Sequence, residues 1–165
     1  MPEPRWLTPR EERAWRGYML MHPLLNLQIA RDLGRECGLS IADYMVLVSL
    51  SEAADSQMRL VDLAQQMLWS KSRLGHHLDR MAARGLVQRR RHPDNSRAAI
   101  IALTDLGRST IERAAPHHVE SVRRHLIDLL TEEQLDTLGD IAETVLDHLT
   151  AVQNGSPNPD PEPAT

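Results

Sequence analysis

A chain of 165 residues with 41% apolar side chains is long enough to enclose a core. Aromatic residues make up 3% and phenylalanine is absent, so that core falls to Leu, Ile, Val, Ala and Met, a mixture better suited to helices than to sheets. One cysteine excludes an internal disulfide framework, and neither a signal peptide nor a membrane-spanning apolar run is present, so a soluble, cytoplasmic protein is expected. The net charge of −4 is unevenly spread. Residues 57–103 hold nine basic side chains against three acids (Asp62, Asp79, Asp94), while the rest of the chain holds ten bases and twenty acids. A basic island in an acidic chain is the footprint of a polyanion site, with an ordinary solvated face as the plainer alternative.

Residues 1–7 form a short lead. Thr8-Pro9-Arg10-Glu11 then reads as a helix start, with Thr8 as N-cap, Pro9 in the first turn and Glu11 reaching back. Trp15, Tyr18, Met19, Leu25, Ile29 and Leu33 recur at helical spacing, which predicts a long amphipathic helix ending near Cys37-Gly38, with a kink or a broken backbone bond at Pro23. Ser40 caps a mostly buried helix to about Ala53; Asp55-Ser56 is a turn, residues 57–59 a short strand, and Leu60 to Met67 a short helix. Ser70 to Arg84 forms another helix, stopped by Gly85.

The period then changes. Leu86 to Arg91 and Ala98 to Leu103 read as strands around a turn-rich tip, residues 92–97. Thr104 caps a helix running to about Leu130 with a break or kink at Pro116, and Thr131 to Gln134 is a capping box for a last helix ending near Val152. The proline-rich residues 154–165 are expected to be disordered. This order is that of a mainly α protein with a small β-hairpin: a winged helix-turn-helix between long flanking helices.

On the helix from Ser70, a step of about 100° per residue puts Leu74, Leu78 and Met81 on one stripe. Trp69, Ser72, Arg73, His76 and Arg80 lie on the opposite side. In a helix-turn-helix the second helix enters the major groove with its N-terminal residues nearest the bases. Arg73 suits bidentate bonding to guanine, Ser72 and His76 are shorter hydrogen-bonding groups, and Lys71 and Arg80 suit phosphates. Ser70 caps a helix end able to bind a phosphate. The candidate DNA contacts are therefore Ser70, Lys71, Ser72, Arg73, His76, His77 and Arg80 on the helix, and Arg89, Arg91 and Arg97 on the hairpin. Arg97 is suited to a narrow minor groove, and Asp94 to fixing the turn.

The segments L-A-Q-Q-M-L-W-S-K-S-R-L (63–74), R-M-A-A-R-G-L-V-Q-R-R (80–90), D-N-S-R (94–97) and I-A-L-T-D-L-G-R (101–108) resemble the MarR family of bacterial transcriptional regulators. The resemblance runs from Thr8 to about Val152 and is most specific at R-G-L-V and L-T-D-L-G-R. It departs from the family at the wing, where Asn95 and Ser96 separate Asp94 from Arg97. It implies a homodimer with interlocked outer helices, binding a pseudo-palindromic operator on double-stranded DNA and acting as a repressor. It also implies a cleft for a small aromatic or phenolic effector, for which Trp15, Arg16, Met19, His22 and Tyr44 are candidates.

The expected organisation is a dimerisation helix (1–38), a DNA-binding region (39–103), C-terminal dimerisation helices (104–153) and a tail (154–165). Ile111, Val119, Val122, Leu126, Leu129, Leu135, Leu138, Ile141, Val145 and Leu149 form the expected dimer surface. No cofactor or metal is expected, because His76-His77 and His117-His118 are adjacent pairs pointing to different helix faces. Cys37 stands beside Glu36, which raises its pKa and favours a structural over a redox role. The catalytic motifs sought are absent, so no enzyme is expected; an architectural or adaptor protein is the stronger rival.

Overall fold

The computed structural model describes residues 4–92 and 95–155, with side chains for residues 4–90 and 99–153. Its elements run α1 (Pro9–Cys37), α2 (Ile41–Glu52), β1 (Gln57–Arg59), α3 (Leu60–Gln66), α4 (Lys71–Ala83), β2 (Val87–His92), β3 (Asn95–Leu103), α5 (Asp105–His125) and α6 (Glu132–Gly155). Contacts divide the chain into two compact units after His125. The division expected at 38/39 and 103/104 does not follow that boundary, because α1 and α5 pack with the central helices in one unit.

In the first unit, Thr8 Oγ1 accepts from the Glu11 amide while Glu11 Oε2 accepts from the Thr8 amide. The helix so started continues through Pro23 to a left-handed Gly38 (φ 65°). Pro23 removes one backbone donor without ending the helix. Ser40 and Asp43 form a second reciprocal cap at the head of α2. That helix is the centre of the core: Val46, Leu47 and Leu50 are fully buried with Leu63, Leu74, Leu78, Met81 and Ile101. Each such side chain contributes about 1.5–3 kcal/mol relative to exposure.

The sheet is three antiparallel strands in the order β1-β3-β2, with Met58 and Arg89 flanking Ile101. The hairpin strands reach His92 and resume at Asn95, so the ladder extends into the tip expected at 92–97, past an irregularity between Arg91 and His92. Strand pairing satisfies backbone groups that turn propensity alone assigns to a loop.

The two segments most specific in the sequence meet here. Thr104 Oγ1 lies 2.6 Å from Gly85 O and 3.1 Å from Leu86 O as donor, and accepts from Gly107 N at 2.9 Å. A Cβ on Gly107 would stand 2.0 Å from Leu86 O, so R-G-L-V and L-T-D-L-G-R close on each other only with glycine there.

The start of α5 is pinned by Arg108, which donates to Ser56 Oγ. The helix passes through Pro116 and ends at His125, short of the expected Leu130. It packs along α1 through Asp32, a buried carboxylate on the apolar stripe beside Ile29 and Leu33. Asp32 Oδ2 accepts from Ser121 Oγ at 2.8 Å and lies 2.9 Å from His125 Nε2, and Oδ1 accepts from Arg35 at 3.1 Å. The Ser121 and His125 hydrogen bonds hold its pKa below the usual carboxylate value.

In the second unit, Leu126 breaks helical geometry (φ −142°), residues 127–129 make a short 3-10 turn, and Thr131 and Gln134 form the expected reciprocal cap. Helix α6 reaches Gly155, three residues beyond the expected end at Val152. The rest of the expected tail, residues 156–165, lies outside the described residues.

Candidate nucleic-acid interface

Helices α3 and α4 are joined by a tight turn. Leu68 N donates to Gln65 O at 3.1 Å and Trp69 N to Ala64 O at 2.9 Å, the paired bonds of a Schellman ending with Leu68 in the left-handed position (φ 54°) that glycine usually fills. Ser70 then caps α4, its Oγ accepting from Arg73 N at 3.2 Å. Leu74, Leu78 and Met81 are wholly buried, which turns Lys71, Ser72, Arg73, His76 and Arg80 to the exposed side as the periodicity predicts.

His77 does not join them. It is buried (7% exposed) on the inner side of α4, edge-on to the Trp69 ring at 5.5 Å between centroids. Its Nε2 lies 3.2 Å from Asp43 Oδ1 on α2, and its Nδ1 is 3.1 Å from Arg80 Nη2. Burial lowers its pKa, against the pull of Asp43, so the ring is held neutral. One residue after His76, an advance of about 100° carries a side chain from the outer face to the inner.

Arg89 also differs from expectation. Its guanidinium donates to Gly75 O at 2.8 Å and pairs with Asp79 at 3.0 Å, tying β2 to α4. Arg59 is similarly held by Asp62, and Arg84 by Asp43 and Gly38 O. Three of the nine basic residues in the island are thus paired within the chain, Arg84 and Arg89 across elements and Arg59, 61% exposed, with a neighbour on the surface. Among the island's described side chains, Lys71, Arg73, Arg80 and Arg90 are also exposed. The side chains of Arg91 and Arg97, and all of Asp94, lie outside the described residues.

The effector candidates are not gathered in one chain. Trp15 and Met19 are about half exposed, Arg16 is tied to Glu12 at 2.6 Å, and His22 contacts Asn26 at 3.0 Å. Tyr44 is buried against His118 at 4.2 Å. Trp15 stands about 27 Å along α1 from Leu33, its 18-residue separation at helical rise. Trp15, Tyr18 and His22 instead form a stacked ladder on α1, with centroids 6.0 and 5.8 Å apart. Among the described residues no three His, Cys, Asp or Glu side chains converge as a metal site, and no helix is long and apolar enough to cross a membrane. Cys37 is half-buried, and burial with Glu36 raises its pKa.

Sequence reasoning missed Asp32, Asp43 and the role of Trp69. A charged residue on the apolar stripe of α1 was the available signal for Asp32. Asp43 was legible only as a helix-cap residue, since its partners Arg84 and His77 come from a distant helix.

A sequence-family model described as transcriptional regulator SarA/Rot matches residues 28–114. AbsC, a MarR-family transcriptional regulator from Streptomyces coelicolor, is 41% identical, with 90% of this chain and 99% of that one covered and a TM-score of 0.84. The chain belongs to the MarR family of transcriptional regulators. Sco3205 from the same organism, a MarR-family regulator solved in complex with DNA, is 37% identical at a TM-score of 0.84, with 90% and 93% of the two chains covered. The HTH-type transcriptional repressor YetL of Bacillus subtilis is 29% identical over 109 residues, covering 64% of this chain and 65% of YetL. These relatives are regulators rather than enzymes.

Proposed function

We propose that this MarR-family regulator binds a pseudo-palindromic operator on double-stranded DNA as a homodimer, with α4 of each protomer in a major groove, and acts as a repressor. The observation that carries the reading is α4 itself: its apolar stripe is wholly buried while Lys71, Ser72, Arg73, His76 and Arg80 face outward. Its N-terminus, capped by Ser70, directs backbone amides and a positive dipole end toward a phosphate. Arg73 reads a base, and Lys71 and Arg80 hold the backbone. Arg91 and Arg97 are assigned to the wing's contact with the flanking groove. The DNA complex of Sco3205 supports this reading, and the repressor YetL supports the direction of regulation.

Apolar side chains left in water support the homodimer. Trp15, Tyr18, Met19, Leu20, Met21, Leu24 and Leu27 on α1, and Ile141, Val145, Leu146, Leu149 and Val152 on α6, are all about half exposed or more. Exposure on this scale marks an interaction surface. A small aromatic or phenolic effector is assigned to a cleft that the Trp15 ladder forms only with a partner protomer.

Selection of duplexes from a randomised pool, with light scattering of the free protein, tests the reading. The expected result is a dimer recovering inverted half-sites about one helical turn apart, roughly 34–36 Å. A monomer, or binding without sequence preference, overturns it and favours the adaptor or architectural alternative. The effector arm is tested by adding salicylate to the complex: release supports the cleft, and unchanged affinity across a panel of aromatic acids removes it.

A further inference from the structure

We propose that Trp69 is a positioning residue for Arg73: it holds the guanidinium in its reading orientation before DNA arrives, and so contributes to sequence preference without contacting a base. This rests on the reading of α4 as the helix that enters the groove. The Arg73 guanidinium carbon lies 4.1 Å above the Trp69 ring, in range for a cation–π contact. An arginine side chain is long and rotamer-rich, and bidentate reading of a base needs its planar fork held in one orientation. Stacking on a fixed ring supplies that orientation in the free protein.

The ring itself is fixed from three sides. Its backbone is set by the Schellman turn through Trp69 N and Ala64 O. Its side chain packs partly buried against the core. Its edge meets His77, which lies 3.2 Å from Asp43 Oδ1 of α2 and 3.1 Å from Arg80 Nη2. Arg80 can only donate, so His77 Nδ1 accepts and the ring proton sits on Nε2, toward Asp43 Oδ1. Arg80 follows Arg73 by seven residues on the same face of α4. Arg73 is therefore seated on the Trp69 ring and Arg80 bonded to the His77 ring nitrogen, and the two rings meet edge to face. A tryptophan present only to fill the core would need neither the arginine above it nor the histidine beside it.

The test uses a duplex recovered by the full-length wild-type protein from a randomised pool, and a scrambled duplex of the same composition. Trp69→Leu should narrow the affinity ratio between them roughly three- to tenfold, the scale of one partly desolvated cation–π contact. Affinity for the scrambled duplex should fall by less than affinity for the selected one, since the Lys71 phosphate contact does not depend on Trp69. Trp69→Tyr, which keeps an aromatic face, should restore most of the ratio. In an Arg73→Ala background, Trp69→Leu should add nothing. A second measurement does not depend on how the leucine variant folds: in DNA-free protein, Arg73→Ala should shift the Trp69 indole NMR resonance. Equal weakening on both duplexes, additive effects of the two substitutions, or an unmoved indole resonance would each overturn the proposal. A wild-type protein that recovers no duplex would overturn the reading of α4 as well.

Discussion

Helices α4 and α6 carry the same kind of pattern and meet opposite fates. Both repeat apolar residues in steps of three and four. In α4 the stripe of Leu74, Leu78 and Met81 is wholly buried within its own chain, leaving a polar, basic face outside. In α6 the stripe of Ile141, Val145, Leu149 and Val152 is about half exposed throughout. Periodicity says which side of a helix water avoids, but not which surface relieves it. For α4 that surface is the core it shares with α2, α3 and the sheet; for α6 and the first half of α1 it is proposed to be a second copy of the chain.

The comparison breaks first at the core. Leu78→Ala should cost about 2–5 kcal/mol, because the fully enclosed site leaves a cavity. The measure is denaturant unfolding. A loss under about 1 kcal/mol would mean that α4 is not anchored as described.

The equivalent change on α6 should act differently. A Val145→Asp/Leu149→Asp double substitution should leave the secondary structure of the winged unit intact while weakening dimerisation by about 2 kcal/mol or more, roughly thirtyfold. Sedimentation over a concentration series reads this directly. An unchanged dimer would move the interface elsewhere.

Arg73→Ala sharpens the contrast between reading and holding. It should cost about 1–3 kcal/mol on the selected operator and relax preference at one base per half-site. Uniform weakening on all duplexes would make Arg73 a phosphate contact instead.

The smallest effect is a pH slope. Burial lowers the pKa of both His77 and His118. The charged groups around His77 are Asp43 on α2 and Arg80 and Arg84 on α4; His118 stacks on Tyr44. Their unfolded forms take up protons near pH 6.5 while the folded forms resist. The stability they contribute is therefore complete above that pH and declines as pH falls through it toward the lowered folded values. Asp43 also titrates low: burial alone would raise its pKa, but its hydrogen bonds to Arg84 and Ser40 outweigh that. A second loss should thus begin below about pH 4. His118→Phe should flatten the upper slope in urea titrations, and an unchanged slope would remove His118 from the account.

Much of the fold was legible because it is written locally. The caps at Thr8, Ser40, Ser70 and Thr131, the end of α1 at Gly38 and the inward stripe of α4 all depend on residues within a turn or two of one another. Errors arose where distant partners decide. The hairpin ladder outran its turn residues, α5 stopped at His125, and Ile111, expected on the dimer surface, is buried in the first unit's core. Pro116 sits inside a continuous helix where a break or kink was expected, while at Pro23 the helix continues with one backbone donor lost, one of the two outcomes expected there.

The sequence alone determined the element order, the side of each helix that shuns water and the place where positive charge gathers. These follow from spacing and side-chain chemistry, which need no knowledge of neighbours. Tertiary structure decided which charges are spent internally: Arg84 on Asp43, Arg89 on Asp79 and Gly75, Asp32 on Ser121 and His125, and His77 beneath rather than upon the basic face. A buried charge must find a partner or lose its charge, and most of those partners lie tens of residues away in the chain, where only folding brings them within reach.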